Sequence, residues 1–156
     1  MKLCGWVAAL VLAGASMPLA LAQSGLDTPS ADQYVARLGD IMNAVQTGHI
    51  KLWLAAKAQN WDLAGFELRQ LKAGLSEAAV HYSGIPVSNI TTLGTALQSV
   101  GDAVDAKDGK RFVATFGELT SGCNACHGAL QRSFIVIRTP TDQPFGNQVF
   151  APPGKR

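Results

Sequence analysis

Two cysteines and a histidine stand close together in the chain, at Cys123, Cys126 and His127. Their order, Cys-x-x-Cys-His, is the attachment signature of a c-type haem. Thiols about one helical turn apart can add to the two vinyl groups of a single haem, and the histidine that follows can place an imidazole nitrogen on the iron. The motif predicts one covalent haem c, with Cys123 and Cys126 as thioether residues and His127 as the proximal iron ligand.

A Cys-x-x-Cys pair has two other common uses, a structural zinc site and a redox-active dithiol. Zinc would need two further thiol or imidazole ligands, and none is close in the sequence. A redox dithiol would be expected in a βαβ context, which this sequence does not show. Haem attachment is therefore the preferred interpretation.

Residues 1–22 have the pattern of a secretory signal peptide. Lys2 gives a basic start, Leu3–Ala13 is a nearly unbroken apolar run, and Ala20-Leu21-Ala22 is a cleavage site of the A-x-A type. The apolar run is short for a membrane span of about 20 residues, and an uncleaved anchor is the alternative. The pattern predicts a periplasmic protein with no membrane span after cleavage, from which Cys4 is removed with the signal.

The rest of the chain has the length and charge of a single domain. The formal net charge of the 156-residue chain is +2, and its lysines and arginines are scattered along the chain, with no run longer than two. Nucleic-acid binding would call for a clustered basic face, so no nucleic-acid partner is expected. There is no Ser/His/Asp or Cys/His set and no phosphate-binding glycine loop, and the chain is therefore not expected to be an enzyme.

Apolar residues that recur at alternating steps of three and four predict four helices. The first helix is expected to start near Thr28-Pro29-Ser30 and to end near Gln59. Asn60 and Asp108 are predicted N-caps, and Ser83-Gly84-Ile85-Pro86 breaks the chain between the second and third helices. The four apolar seams contain Val35, Leu38, Met42, Val45, His49, Leu52 and Ala56; Ala64, Leu68, Leu71, Leu75, Ala78 and Tyr82; Ile90, Leu93, Leu97, Val100 and Val104; and Phe112, Phe116, Leu119, Cys123, Cys126 and Leu130.

Four helices with one apolar stripe each, joined by short loops, predict an all-α fold, an antiparallel four-helix bundle, over residues 23–131. Residues 132–156 form a mostly non-helical C-terminal tail, because its prolines and glycine do not permit regular structure. Disordered tails are usually poor in aromatic residues. Phe134, Phe145 and Phe150 therefore predict that the tail lies along the bundle as an ordered strap that starts near the haem.

A haem motif on the last helix of a four-helix bundle resembles the class II cytochromes c, which include the cytochromes c-prime and their six-coordinate relatives. The stretches Met42–His49, Lys51-Leu52-Trp53 and Asn60-Trp61-Asp62-Leu63, together with the tail Phe134–Pro152, also look like a set of bacterial cytochrome c family proteins. The resemblance implies that His127 is the proximal ligand and that the first helix faces the distal side of the haem. Members of the cytochrome c-prime group normally end soon after the motif, and the tail puts their usual homodimer and exposed haem edge in doubt.

Two residues on the first seam could supply a distal iron ligand. Met42 lies in the half of the first helix that an antiparallel bundle brings to the end of the fourth helix, where the motif sits. His49 lies seven residues further on, about 10.5 Å along the helix axis, so one iron cannot bind both. Geometry favours Met42, with His49 as the alternative ligand or a hydrogen-bonded core histidine; otherwise the iron is five-coordinate.

These features predict a periplasmic monohaem c-type cytochrome that carries single electrons to or from an unidentified redox partner protein. A haem ligated on both sides has no open position for a substrate, which suits electron transfer. Two alternatives stay open. One is a five-coordinate haem protein that binds a gas such as nitric oxide, and the other is a haem subunit docked on a larger redox enzyme.

Overall fold

The computed structural model describes residues 35–85 and 87–154, which form four α-helices followed by an irregular tail. The helices are α1 (Leu38–Lys57), α2 (Trp61–His81), α3 (Val87–Asp105) and α4 (Gly109–Ala129). Each helix packs against the next, and α1 also contacts α4, so the helices close into a ring. The predicted all-α antiparallel bundle with a mostly non-helical tail is confirmed; the predicted signal peptide lies outside the described residues.

The two predicted N-caps are present. The Asn60 side chain accepts a hydrogen bond from the Leu63 N–H at 3.2 Å. The Asp108 carboxylate accepts from the N–H groups of Lys110 and Arg111, both at 3.0 Å. Each cap satisfies backbone donors that the first turn of a helix leaves without an intrahelical partner.

The start of α1 differs from the prediction. Residues 35–37 precede the helix and are extended, with φ −64° and ψ 143° at Arg37, so the expectation that the helix already includes Val35 is wrong. The Tyr82 hydroxyl donates to the Ala36 carbonyl at 2.8 Å and holds this segment against the end of α2. The predicted cap region Thr28-Pro29-Ser30 lies outside the described residues, and α1 ends at Lys57, two residues before the predicted end.

Helices α1, α3 and α4 end in the same way, with a residue in the left-handed region just after the helix. These residues are Gln59, Lys107 and Gln131, with φ of 59°, 54° and 58°. After α4, the Arg132 N–H bonds to the His127 carbonyl at 2.7 Å and the Gln131 N–H to the Gly128 carbonyl at 3.0 Å. This pair of bonds is a Schellman motif, and it turns the chain back towards the bundle directly after the haem motif.

The core is filled by residues of the predicted seams. Its largest fully buried side chains come from all four helices: Leu52, Leu71, Val100, Phe112, Phe116 and Leu119. Trp53 lies 4.9 Å from Phe116 and 6.0 Å from Phe112, measured between ring centroids, and Trp61 lies 6.3 Å from Phe112. This aromatic cluster closes the end of the bundle at the α1–α2 turn. No helix in the described part of the chain is long and apolar enough to cross a membrane.

The tail from residue 132 to residue 154, which we call the strap, runs along α1 from the end of α4 to the α1–α2 turn. Midway, the ring of Phe145 lies under the Lys51 ammonium, 5.1 Å from the ring centroid. Phe150 is 8% exposed and belongs to the core, and the Ala151 carbonyl accepts from the Asn60 side chain at 3.4 Å. The tail is therefore packed on the bundle as predicted, but Phe134 does not contribute, because it is 78% exposed.

Glycine allows α1 and α2 to approach closely. A Cβ built on Gly74 would lie 2.7 Å from Cγ2 of Val45, whereas one built on Gly94 of α3 would meet no described atom within 4 Å. Both glycines lie inside helices, where glycine is about 1 kcal/mol less favourable than alanine. Only Gly74 has a packing reason to be glycine.

We expect opposite effects from the same substitution at these two glycines. Gly94→Ala should raise the free energy of unfolding by up to about 1 kcal/mol, because it restricts the unfolded chain and adds no clash. Gly74→Ala should lower it by about 1–3 kcal/mol, because the new methyl group must displace Val45. Urea unfolding of both variants measures the difference. Equal stabilisation by the two substitutions would contradict the close α1–α2 contact.

Candidate functional site

A cavity of about 330 Å³ opens between the first half of α1 and the last turns of α4. Both motif cysteines and His127 line it, and so does Met42. Most of its other walls are apolar; they are formed by Leu38, Gly39, Leu71, Leu75, Ala78, Ile85, Leu93, Leu130, Ile135 and Ile137. Cavities of this size and character are typical of small-molecule and cofactor sites.

The helical register of α4 places the two thiols on the cavity wall. Cys123 and Cys126 are three residues apart, which puts them on one helix face about one turn from each other. Burial, with a smaller effect from neighbouring Cys126, raises the pKa of the Cys123 thiol to about 11. Redox-active dithiols work through a lowered thiol pKa, so the environment of Cys123 does not favour that alternative.

His127 is oriented by the strap. Its Nδ1 lies 2.8 Å from the carbonyl oxygen of Ile135. A carbonyl oxygen only accepts, so Nδ1 carries the proton and donates it, which leaves Nε2 with a lone pair. Histidines that bind metals generally have their second ring nitrogen engaged in this manner. The arrangement is therefore that of an imidazole prepared to bind a metal through Nε2.

Met42 and His49 both line the cavity, but their side chains are differently engaged. Met42 is half-buried in the first half of α1, which is the half that meets the end of α4. His49 is 2% exposed, with Nε2 at 2.9 Å from the Thr120 hydroxyl oxygen and its ring stacked 4.4 Å from that of Phe116. These contacts are those of a core histidine, although its hydrogen-bond partner is a side chain rather than backbone.

The hydroxyl of Thr120 fixes the tautomer of His49. It lies 2.8 Å from the Phe116 carbonyl and donates its proton there, so towards His49 it can only accept. Nε2 of His49 is thus protonated. Burial lowers the pKa of this imidazole to about 4, and the ring is neutral near pH 7.

The walls of the cavity are mostly apolar and carry little charge. Among the described residues that line it, Arg132 carries the only formal charge, and it stands at the start of the strap. No group of three or more His, Cys, Asp or Glu side chains in residues 35–85 and 87–154 is arranged to hold a metal ion. The possible metal ligands on its walls are the two thiols, the thioether of Met42 and the imidazoles of His127 and His49, of which His49 is already bonded to Thr120.

Sequence reasoning missed three contacts in and beside the candidate site. They are the Ile135 carbonyl beside His127, the Asn124 side chain that binds the backbone of Ile137, and the Thr120 hydroxyl beside His49. A backbone carbonyl has no sequence signature. Thr120 follows the seam position Leu119, and this position in the sequence could have suggested that its hydroxyl is buried.

Comparison of the chain with protein-family models, with curated protein sequences and with solved structures found no match in any of the three.

The buried neutral His49 predicts a loss of stability in acid. The unfolded state takes up a proton near pH 6.5 and the folded state only near pH 4, so the free energy of unfolding should fall as the pH drops through this window, by up to about 3 kcal/mol. His49→Gln keeps a donor for Thr120 but cannot titrate. Thermal unfolding at a series of pH values should give this variant a flatter profile than wild type; parallel profiles would rule out the buried neutral imidazole.

Proposed function

We propose that this chain is a monohaem c-type cytochrome that carries single electrons. The observation that carries the proposal is the convergence of four features on one apolar cavity. Both thiols of the motif line it, His127 reaches it with Nδ1 already engaged, and Met42 faces the same space from α1. The cofactor would be one haem c, held covalently by Cys123 and Cys126 and ligated by His127.

A haem bound here supplies one-electron chemistry at its iron. The chain's own residues would set the conditions for that chemistry. The apolar walls would limit the access of water to the haem, and Arg132 could pair with a haem propionate. The Ile135 carbonyl would fix the tautomer of His127. Solvent access and the hydrogen bonds of the ligands help to set the reduction potential of a metal centre, and those hydrogen bonds also orient the ligands.

We prefer electron transfer to the two alternatives for two reasons: the position of Met42 on the distal side and the packing of the tail on the bundle. Met42 lines the cavity, and its thioether bound to the iron would close the position that a gas would use. The strap packs on the bundle through Phe145 and Phe150, so its described residues, 132–154, do not form the loose segment that docking on a larger enzyme would use. A non-enzymatic periplasmic carrier, served by a separate redox partner protein, remains the proposal.

Covalent attachment gives the first test. The holoprotein matured in a bacterial periplasm should have the mass of the chain from Gln23 plus one haem, and the haem should resist extraction by acidified organic solvent. Cys123→Ala should leave at most one thioether and impair maturation, whereas Cys4→Ala, which changes a cysteine outside the motif, should retain the covalent haem. Extraction of the haem from the wild-type protein would contradict the proposal.

The sixth ligand gives the second test. The wild-type protein should be low-spin and should show the charge-transfer band of thioether bound to ferric iron. Met42→Ala should lose the band, become high-spin and bind carbon monoxide. His49→Gln, the matched control on the same seam, should keep the band.

Two other outcomes would favour the alternatives. A low-spin spectrum that lacks the thioether band in wild type and is lost in His49→Gln would assign the distal ligand to His49. A high-spin wild-type protein that binds carbon monoxide readily would favour the gas-binding protein over the electron carrier.

A further inference from the structure

Asn124 is one of the two variable residues of the Cys-x-x-Cys-His motif, yet its side chain makes the best-defined contact between α4 and the strap. Its Nδ2 donates to the Ile137 carbonyl at 2.8 Å, and its Oδ1 accepts from the Ile137 N–H at 2.8 Å. A carboxamide has a donor and an acceptor side by side. It therefore pairs with both backbone groups of one residue, as a neighbouring strand would.

Two residues earlier in the strap lies the carbonyl that accepts from His127. The Ile135 carbonyl is 2.8 Å from Nδ1 of that imidazole. Asn124 and His127 are three apart on α4 and so share a helix face, while Ile135 and Ile137 are two apart in the strap. The Asn124–Ile137 and His127–Ile135 contacts therefore join one face of α4 to the same short stretch of the strap.

The Ile135 carbonyl is held from both directions. Behind it, the Ile135 N–H bonds to the Arg132 carbonyl at 2.9 Å, and the Arg132 N–H bonds to the His127 carbonyl at 2.7 Å. Ahead of it, the two bonds from Asn124 fix Ile137. The bonds at Arg132 and those at Ile137 therefore both restrain movement of the Ile135 carbonyl away from the imidazole.

Side-chain burial does little to hold this part of the strap. Phe134 is 78% exposed, Val136 is 73% exposed and Ile135 is 41% exposed. The apolar anchors of the strap, Phe145 and Phe150, lie further along α1. Near the motif, the strap is therefore held mainly by hydrogen bonds, and the two bonds from Asn124 are the ones that a side chain supplies beyond Ile135.

We propose that Asn124 is a positioning residue of the centre, which locks the strap so that the Ile135 carbonyl stays on Nδ1 of His127. This inference rests on the proposed function, in which Nε2 of the same imidazole binds haem iron. A hydrogen bond from Nδ1–H to a fixed acceptor makes an imidazole ligand more basic. A more basic ligand favours the ferric over the ferrous state, so Asn124 lowers the reduction potential without touching the haem.

Asn124→Ala in the holoprotein tests the lock. The Ile137 amide should exchange with deuterium about tenfold faster or more, since the acceptor of its hydrogen bond, Oδ1 of Asn124, is lost. Trypsin should cut faster after Arg132 and Arg138, which flank the released segment. The reduction potential should rise, while the covalent haem and its mass remain. Ala125→Ser changes the other variable residue of the motif, which is exposed, and should alter none of these values.

A second variant keeps the test independent of haem maturation. Ile137→Pro removes the N–H that Asn124 accepts from and leaves the motif untouched, so it should reproduce the rise in potential and the faster cleavage. Asn124→Asp keeps an acceptor for the Ile137 N–H but loses the donor to its carbonyl, so trypsin should again cut faster after Arg138.

The outcomes separate this proposal from the proposed function. A released strap with an unchanged potential in both Asn124→Ala and Ile137→Pro would show that Asn124 is merely structural and would overturn the inference alone. An equal rise in potential in Ala125→Ser would also overturn it, because the effect would then belong to the motif in general. Wild-type protein without covalent haem would overturn both proposals.

Discussion

The contact on which the proposed site depends is the hydrogen bond from His127 to a backbone carbonyl of the strap; a histidine that binds a metal almost always has such a partner for its second ring nitrogen. The 2.8 Å contact with Ile135 fixes the tautomer and the ring orientation together. It also explains why the chain reverses directly after α4. The Schellman motif at Gln131 turns the strap back, and without that turn the carbonyl could not reach a side chain only eight residues earlier on a helix.

The bundle combines tight and open packing along α1. Against α2, Gly74 permits a contact so close that a methyl group would collide with Val45. Against α4, the half near the α1–α2 turn is filled by Trp53, Phe116 and the His49–Thr120 pair. The other half is left open as the cavity. Under the proposed function, an apolar cofactor in that opening would extend the core, since seam residues such as Leu71, Leu75 and Leu93 already form part of its walls.

The sequence reveals the fold well, because helix seams and caps are local signals. Alternating steps of three and four place the core residues, and Asn60 and Asp108 mark helix starts through their side-chain chemistry. The start of α1 was not predictable, since the Tyr82–Ala36 contact that holds residues 35–37 extended joins residues 46 apart. For the site, the motif names its own side chains. The acceptor beside His127 is a backbone group, and the packing of Phe145 and Phe150 but not Phe134 depends on the route of the strap.

The length of chain beyond the motif bears on the resemblance to class II cytochromes c. A chain that ended at Leu130 would present Nδ1 of His127 to water, whose hydrogen bonds exchange rapidly and impose no fixed orientation. The strap replaces that water with a carbonyl held by its own hydrogen bonds, and Ile135 and Ile137 add apolar wall to the cavity on the same side. Under the proposed function, the extra residues thus act on the proximal face of the haem, where they restrict solvent and orient the ligand. In that arrangement, the helices would supply the thiols and the iron ligands, and the irregular strap would supply the carbonyl that orients His127.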